Sequence, residues 1–129
     1  MMPALDAVLY AKDLPAMSRF YAAVLGRPPV HTDATIAVHM IGDSRLTLHA
    51  IPAHIAETFT IAVPPELREE AAIKLTMAVG SIEVVRSAAR ASGGGCFASD
   101  REWAYEGSRY VDGWDPEGNV LQFAEPSSR

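Results

Sequence analysis

The chain has one cysteine, Cys96, so no disulfide can form within it, and no Cys/His cluster is present to build a zinc site. A reducing cytoplasm suits such a composition. Basic residues are also scarce: Lys and Arg number 11 against 16 Asp and Glu, a net charge of −5, with no basic stripe. A phosphate backbone would find no footing and an anionic membrane surface would repel the chain, so neither nucleic acid nor membrane is an expected partner. No run reaches the roughly 18 apolar residues of a bilayer span, and nothing near Met1 resembles a charged leader followed by an apolar stretch. P-loop, GxSxG elbow and dinucleotide fingerprint are all missing. Gly93-Gly94-Gly95 follows a helical pattern instead of opening one, which makes it a stop signal and not a phosphate cradle. Cys96, just after it, has no neighbouring His or Lys in sequence to lower its pKa and reads as an inert strand residue.

What is present is enough for one domain spanning 1–129: hydrophobic types make up 49% and charged types 21%, which allows a sizeable core. Residues 6–11 alternate as a strand. Asp13 then stands in a cap position before Leu14, Met17, Phe20, Tyr21, Val24 and Leu25 at helical spacing, and Gly26 ends the run. The pattern returns 68 residues later: 73–79 alternates, Ser81 caps, Ile82, Val85, Ala88 and Ala89 form the apolar stripe, and the three glycines stop it. Strand-like runs follow each helix, at 29–32, 35–41 and 45–51, then at 95–98, 108–114 and 119–124. The last two are joined by Asp115-Pro116-Glu117-Gly118, a tight turn with Pro presetting φ and Gly permitting a positive one. Two βαβββ units result, module one at 1–52 and module two at 73–126, an α+β fold. The connection 53–72 carries Pro64-Pro65, a charged cluster and a β-like stretch at 58–63, and reads as an excursion over a sheet rim, an arm onto a second subunit or a solvated linker.

The tandem modules, the helix entry Lys12-Asp13-Leu14 leading to Phe20-Tyr21 and Val24-Leu25-Gly26, and the closing Asp115-Pro116-Glu117-Gly118-Asn119-Val120 together resemble the vicinal oxygen chelate superfamily of glyoxalases, extradiol dioxygenases and bleomycin-resistance proteins. The resemblance implies that each module curls into a half-barrel sheet with its helix on the outer face, the two halves enclosing one pocket within a chain or across a dimer. It also implies four metal-ligand positions, on the first and last strands of each module. They fall here on Asp6, Thr47, Lys74 and Gln122. A divalent ion wants carboxylate or imidazole; an ammonium repels it, and neutral oxygens hold it weakly. No metal and no cofactor are therefore expected.

His49 shares a strand face with Thr47, but with Asp6 it makes two ligands where catalytic sites usually show three, so a hydrogen-bonding role is expected for it. His31, His39 and His54 read as surface or packing residues. Alternation turns Asp6, Val8, Tyr10, Thr47, His49, Lys74, Thr76, Val120 and Gln122 toward the pocket and their apolar neighbours toward the helices. Trp103, Tyr105, Tyr110 and Trp114 are placed to wall a cavity or a dimer seam. The expected ligand-binding set is Asp6, Tyr10, Thr47, His49, Lys74, Gln122, Trp103 and Trp114. The leading expectation is a metal-free homodimer that binds a small organic molecule. One alternative is a lyase, isomerase or dioxygenase using His49, Lys74 and Asp6 as acid/base groups or a relocated metal. Another is a dimeric interaction module. Equivalent placement in the repeat further predicts that Asp6 and Lys74 pair across the pocket or a subunit seam.

Overall fold

The computed structural model of the chain describes residues 2–127. Its first unit comprises the strand β1 (Asp6–Ala11), the helix α1 (Leu14–Leu25) and the strands β2 (His31–Thr32), β3 (Ile36–Ile41) and β4 (Ser44–Ala50). Asp13 starts α1 by accepting the backbone N–H of Ala16 at 3.1 Å, and Pro15 occupies the first turn, where an N–H has no helical partner anyway. Gly26 ends the helix at φ 73°, its N–H donating back to the Ala22 carbonyl. The sheet runs β1-β4-β3-β2, with β1 parallel to β4 and the other pairs antiparallel.

The second unit follows a four-residue helix, α2 (Ala53–Ala56). It comprises β5 (Thr76–Ala78), α3 (Ile82–Ala91), β6 (Gly95–Cys96), a 3-10 turn at Ser99–Arg101, β7 (Trp103–Tyr105), β8 (Ser108–Trp114) and β9 (Val120–Pro126). Ser81 caps α3 through the N–H of Val84. The order β5-β9-β8-β6, with β5 parallel to β9, repeats that of the first sheet, and β7 adds a second pairing along β8. The tandem βαβββ fold is therefore the one the repeat predicts. Both sheets curl, and neither closes into a barrel.

The helices bring the two units together. α1 packs against α3 as well as over β3 and β4, while α3 covers β6, β8 and β9. Between helices and sheets lies the core: Phe20, Met17, Leu46, Leu48, Met77, Val111, Leu121 and Phe123 are all at most 2% exposed. Burial of an aliphatic or aromatic side chain of this kind contributes ~1.5–3 kcal/mol. His39 belongs to this layer, in the middle of β3, with Nε2 3.0 Å from the Ser18 hydroxyl; it is a packing residue.

The structure departs from the sequence reading in several segments: the expected strands at 29–32 and 95–98 shorten to His31–Thr32 and Gly95–Cys96, the connection contains α2, and three further segments differ. Residues 58–63 form no strand, because no neighbouring strand offers that stretch a ladder. The expected strand at 73–79 shortens to Thr76–Ala78. Arg68 already bridges to Asn119, and Leu75 accepts the N–H of Gln122, so the chain between them bulges off the edge of β9. Finally, β7 was not expected, being three residues long inside an aromatic cluster.

The turn 115–118 is also an anchor between the units. Asp115 is fully buried and accepts the Tyr21 hydroxyl of α1 at 2.7 Å. Glu117, 6% exposed, accepts the backbone N–H groups of Lys12 and Asp13 at 2.9 and 2.7 Å. Gly118 sits at φ 86°, and a Cβ there would lie 2.0 Å from the Glu66 carbonyl oxygen, so only glycine lets the end of the excursion lie against the turn.

Candidate functional site

Both sheets turn one face to the helices and leave the other uncovered. On β1, Val8 and Tyr10 are 55% and 61% exposed while Ala11, facing the helices, is buried. The parallel register sets Asp6 beside Arg45, Val8 beside Thr47 and Tyr10 beside His49, so all six side chains share the uncovered face. On the second sheet the register Thr76, Gln122, Asp112 runs across β5, β9 and β8, and Lys74 stands two residues before Thr76 on the same face.

Each of the four positions that the resemblance assigns to metal ligands has a side-chain partner on its own sheet. Asp6 accepts Nε and Nη2 of Arg45 at 3.0 and 2.7 Å, and the Thr47 hydroxyl at 3.2 Å. The Arg45 hydrogen bonds, with help from Thr47, hold the Asp6 carboxyl below its usual range. Lys74 donates to Asp112 at 2.8 Å, and the Thr76 hydroxyl donates to Gln122 at 2.9 Å. The expected Asp6–Lys74 pair does not form within one chain. Within the chain, Arg45 is the nearer cation for Asp6 and Asp112 the nearer acid for Lys74, because strand register and not repeat equivalence sets which charges meet. Among the described residues no hydrogen bond or ion pair joins the set on the first sheet to the set on the second.

This donor set does not suit a divalent ion. One of the four positions is an ammonium neutralised by a carboxylate, two are neutral oxygens, and the one carboxylate is engaged by a guanidinium. Among the described residues no three His, Cys, Asp or Glu side chains are grouped to hold a metal. His49 makes a hydrogen-bonding contact from Nδ1 to the Ala50 carbonyl at 3.0 Å and lies 5.6 Å from the Tyr10 ring.

The aromatic residues divide. Trp103 stacks on Tyr110 with centroids 4.5 Å apart and stays 48% exposed on the uncovered face. Trp114 lies over Gly95, where an added Cβ would be 2.1 Å from the indole, and edges onto Phe97 at 5.1 Å, so it serves packing. Cys96 is half-buried, and burial pushes its thiol up, which agrees with an inert role.

Two adjoining cavities, of 190 and 350 Å³, open where the bulge 69–73 stands between the sheets, and they share Arg68, Ala71, Ile73 and Val120. The smaller adds Lys74, Asp112, Phe97 and Arg101; the larger reaches Val8. Sequence reasoning missed Asp112, Arg68 and Arg101. For Asp112 the signal was available, since it alternates with Tyr110 and Trp114 along β8. Two larger cavities, of 460 and 560 Å³, flank the excursion near Glu117. Both are lined by Glu117, a carboxylate already committed to backbone N–H groups, and the larger shares Arg68 with the pair beside β9.

Comparison with known proteins follows this geometry. Solved structures share the fold at low identity. A glyoxalase/bleomycin resistance protein from Catenulispora acidiphila DSM 44928 is 23% identical, with 93% of this chain and 95% of that one covered at a TM-score of 0.57. A second from Albidiferax ferrireducens T118 is 16% identical over 93% and 95%, with a TM-score of 0.66. A glyoxalase/bleomycin resistance protein/dioxygenase family enzyme from Burkholderia phytofirmans PsJN is 18% identical over 94% and 96%, at 0.65. No curated protein matches the chain. No helix is long and apolar enough to cross a membrane. A sequence profile described as a glyoxalase-like domain matches residues 5–124, nearly the whole chain, and the chain belongs to that family, within the vicinal oxygen chelate superfamily.

Proposed function

We propose that this chain is a metal-free binding protein for a small organic molecule, working as a cytoplasmic homodimer. The observation that carries this reading is the ion pair Lys74–Asp112 beside the Thr76–Gln122 hydrogen bond, on the face where the family holds a metal. A cation fixed by a carboxylate leaves that place neither vacant nor attractive to a second cation. On the uncovered faces of the two sheets Val8, Tyr10, Trp103 and Tyr105 remain 48–61% exposed, apolar surface suited to an organic ligand and to a partner subunit. Acid/base catalysis through His49, Lys74 and Asp6 is less favoured, because within one chain they stand on different sheets with no contact between the sets.

Native mass spectrometry on untagged protein at micromolar concentration, exposed to a small-molecule library, is expected to give a dimer carrying non-covalent adducts. Those adducts should fade in Tyr10→Ala with Trp103→Ala, since both rings lie on the uncovered faces. Protein that carries no adduct across the library would overturn the binding proposal, and a monomer would overturn the homodimer.

A further inference from the structure

The ligand's chemical class is legible in the 190 Å³ cavity beside β9. Its lining includes Arg68, Lys74 and Arg101 against Glu69 and Asp112, three cations to two acids, in a chain whose net charge is −5. Lys74 and Asp112 neutralise one another at 2.8 Å. Among the described residues neither Arg68 nor Arg101 has a carboxylate within ion-pair distance. Arg68 makes one long contact, Nε to the Glu117 carbonyl at 3.5 Å. The Arg101 guanidinium carbon stands over the Phe97 ring, 4.4 Å from its centroid, a contact that uses none of its N–H donors.

Building on the small-molecule reading above, we infer that the cavity takes an aromatic anion. Its carboxylate or phosphate oxygens meet the Arg68 and Arg101 guanidinium groups, and its ring rests on Val120 and Ile73. Ile73 is 76% exposed in the free chain and is the apolar group that such a ring would cover. A guanidinium presents paired N–H donors that match a planar carboxylate or a phosphate, whereas a neutral amide offers one acceptor oxygen and repels with its own N–H groups.

Titration calorimetry at low salt with benzoate, phenylphosphate and benzamide tests this. At least one of the two anions is expected to bind tenfold or more tightly than benzamide. Benzoate ahead of phenylphosphate assigns a carboxylate ligand; the reverse order assigns a phosphate. The preference should vanish in Arg68→Gln with Arg101→Gln, and Arg101→Lys, which keeps the charge but loses the paired donors, should retain only part of it. Both side chains are exposed, so an unchanged unfolding midpoint shows that the variants are folded. Benzamide binding as tightly as the anions overturns the inference and leaves the small-molecule site standing. So does an anion preference that survives the double substitution. Failure of all three compounds to bind also overturns the inference, whereas the proposed function is tested separately, by library adducts in the mass spectrum and by metal content.

Discussion

Asp115→Ala is expected to remove at least ~3 kcal/mol of stability, because buried donors without a partner cost ~1–3 kcal/mol each and this one carboxylate serves several. Its Oδ1 accepts the backbone N–H groups of Glu117 and Asn119 and the Asn119 side-chain amide at 2.9, 3.1 and 3.1 Å. Its Oδ2 accepts the Tyr21 hydroxyl and the same amide at 2.7 and 2.9 Å. Burial pushes the Asp115 carboxyl up, and the hydrogen bonds from Asn119 and Tyr21 oppose that shift. Burial together with the neighbouring Asp115 charge holds the Tyr21 phenol well above its ordinary value, so Tyr21 keeps its proton and donates. Since domains of this kind have ~5–15 kcal/mol in all, the substitution threatens the fold outright. Tyr21→Phe, which withdraws one donor from a carboxylate that keeps four contacts, should cost about 1.5 kcal/mol. Urea unfolding of both variants decides the matter. Equal losses would mean that the turn does not depend on Asp115.

The second large effect is expected at Arg86. Its Nη2 pairs with Glu102 at 2.5 Å, its Nη1 with Glu83 at 2.8 Å, and its Nε donates to the Phe97 carbonyl at 3.1 Å. The Arg86 and Glu102 side chains are only 12% and 9% exposed. Glu102 also receives Arg109, which reaches on to Glu125, and Glu125 accepts the N–H of Ile82 at the start of α3. The network therefore ties α3, the 3-10 turn, β8 and β9 together. Removing one member of a buried pair costs ~3–5 kcal/mol, and with Arg109 still on Glu102 the low end applies to Arg86→Met. Adding Glu102→Leu withdraws the stranded charge and should return most of the loss, as measured by the denaturant midpoint. A double variant less stable than Arg86→Met would show that Glu102 stabilises the fold through Arg109 and is not a stranded charge.

The elements that proved legible in sequence are those fixed by local chemistry. Asp13 and Gly26 bound α1 because a cap and a left-handed residue are decided within one turn of the helix. Alternation alone placed Leu46, Leu48, Leu121 and Phe123 against the helices and Thr47, His49 and Gln122 on the opposite face. Pairings across strands were not legible. The repeat made Asp6 and Lys74 equivalent, yet nothing in the sequence says that Arg45 lies next to one and Asp112 within reach of the other until register is known. The stretch 58–63 has strand composition without a ladder, and β7 has a ladder with too few residues to show a period. Burial of Asp115 and Glu117 was hidden as well, since a turn rich in Asp, Pro and Gly reads as solvent-exposed. The Asp-x-Glu-x-Asn spacing, which lets one carboxylate collect the N–H groups of the turn, was the available clue.

The metal-free proposal turns on the four family ligand positions, Asp6, Thr47, Lys74 and Gln122. Elemental analysis of untagged protein, purified without chelator and dialysed against metal-free buffer, tests it most directly. Far less than one Zn, Ni, Mn or Fe per chain is expected. One such ion per chain, retained through dialysis, would contradict it.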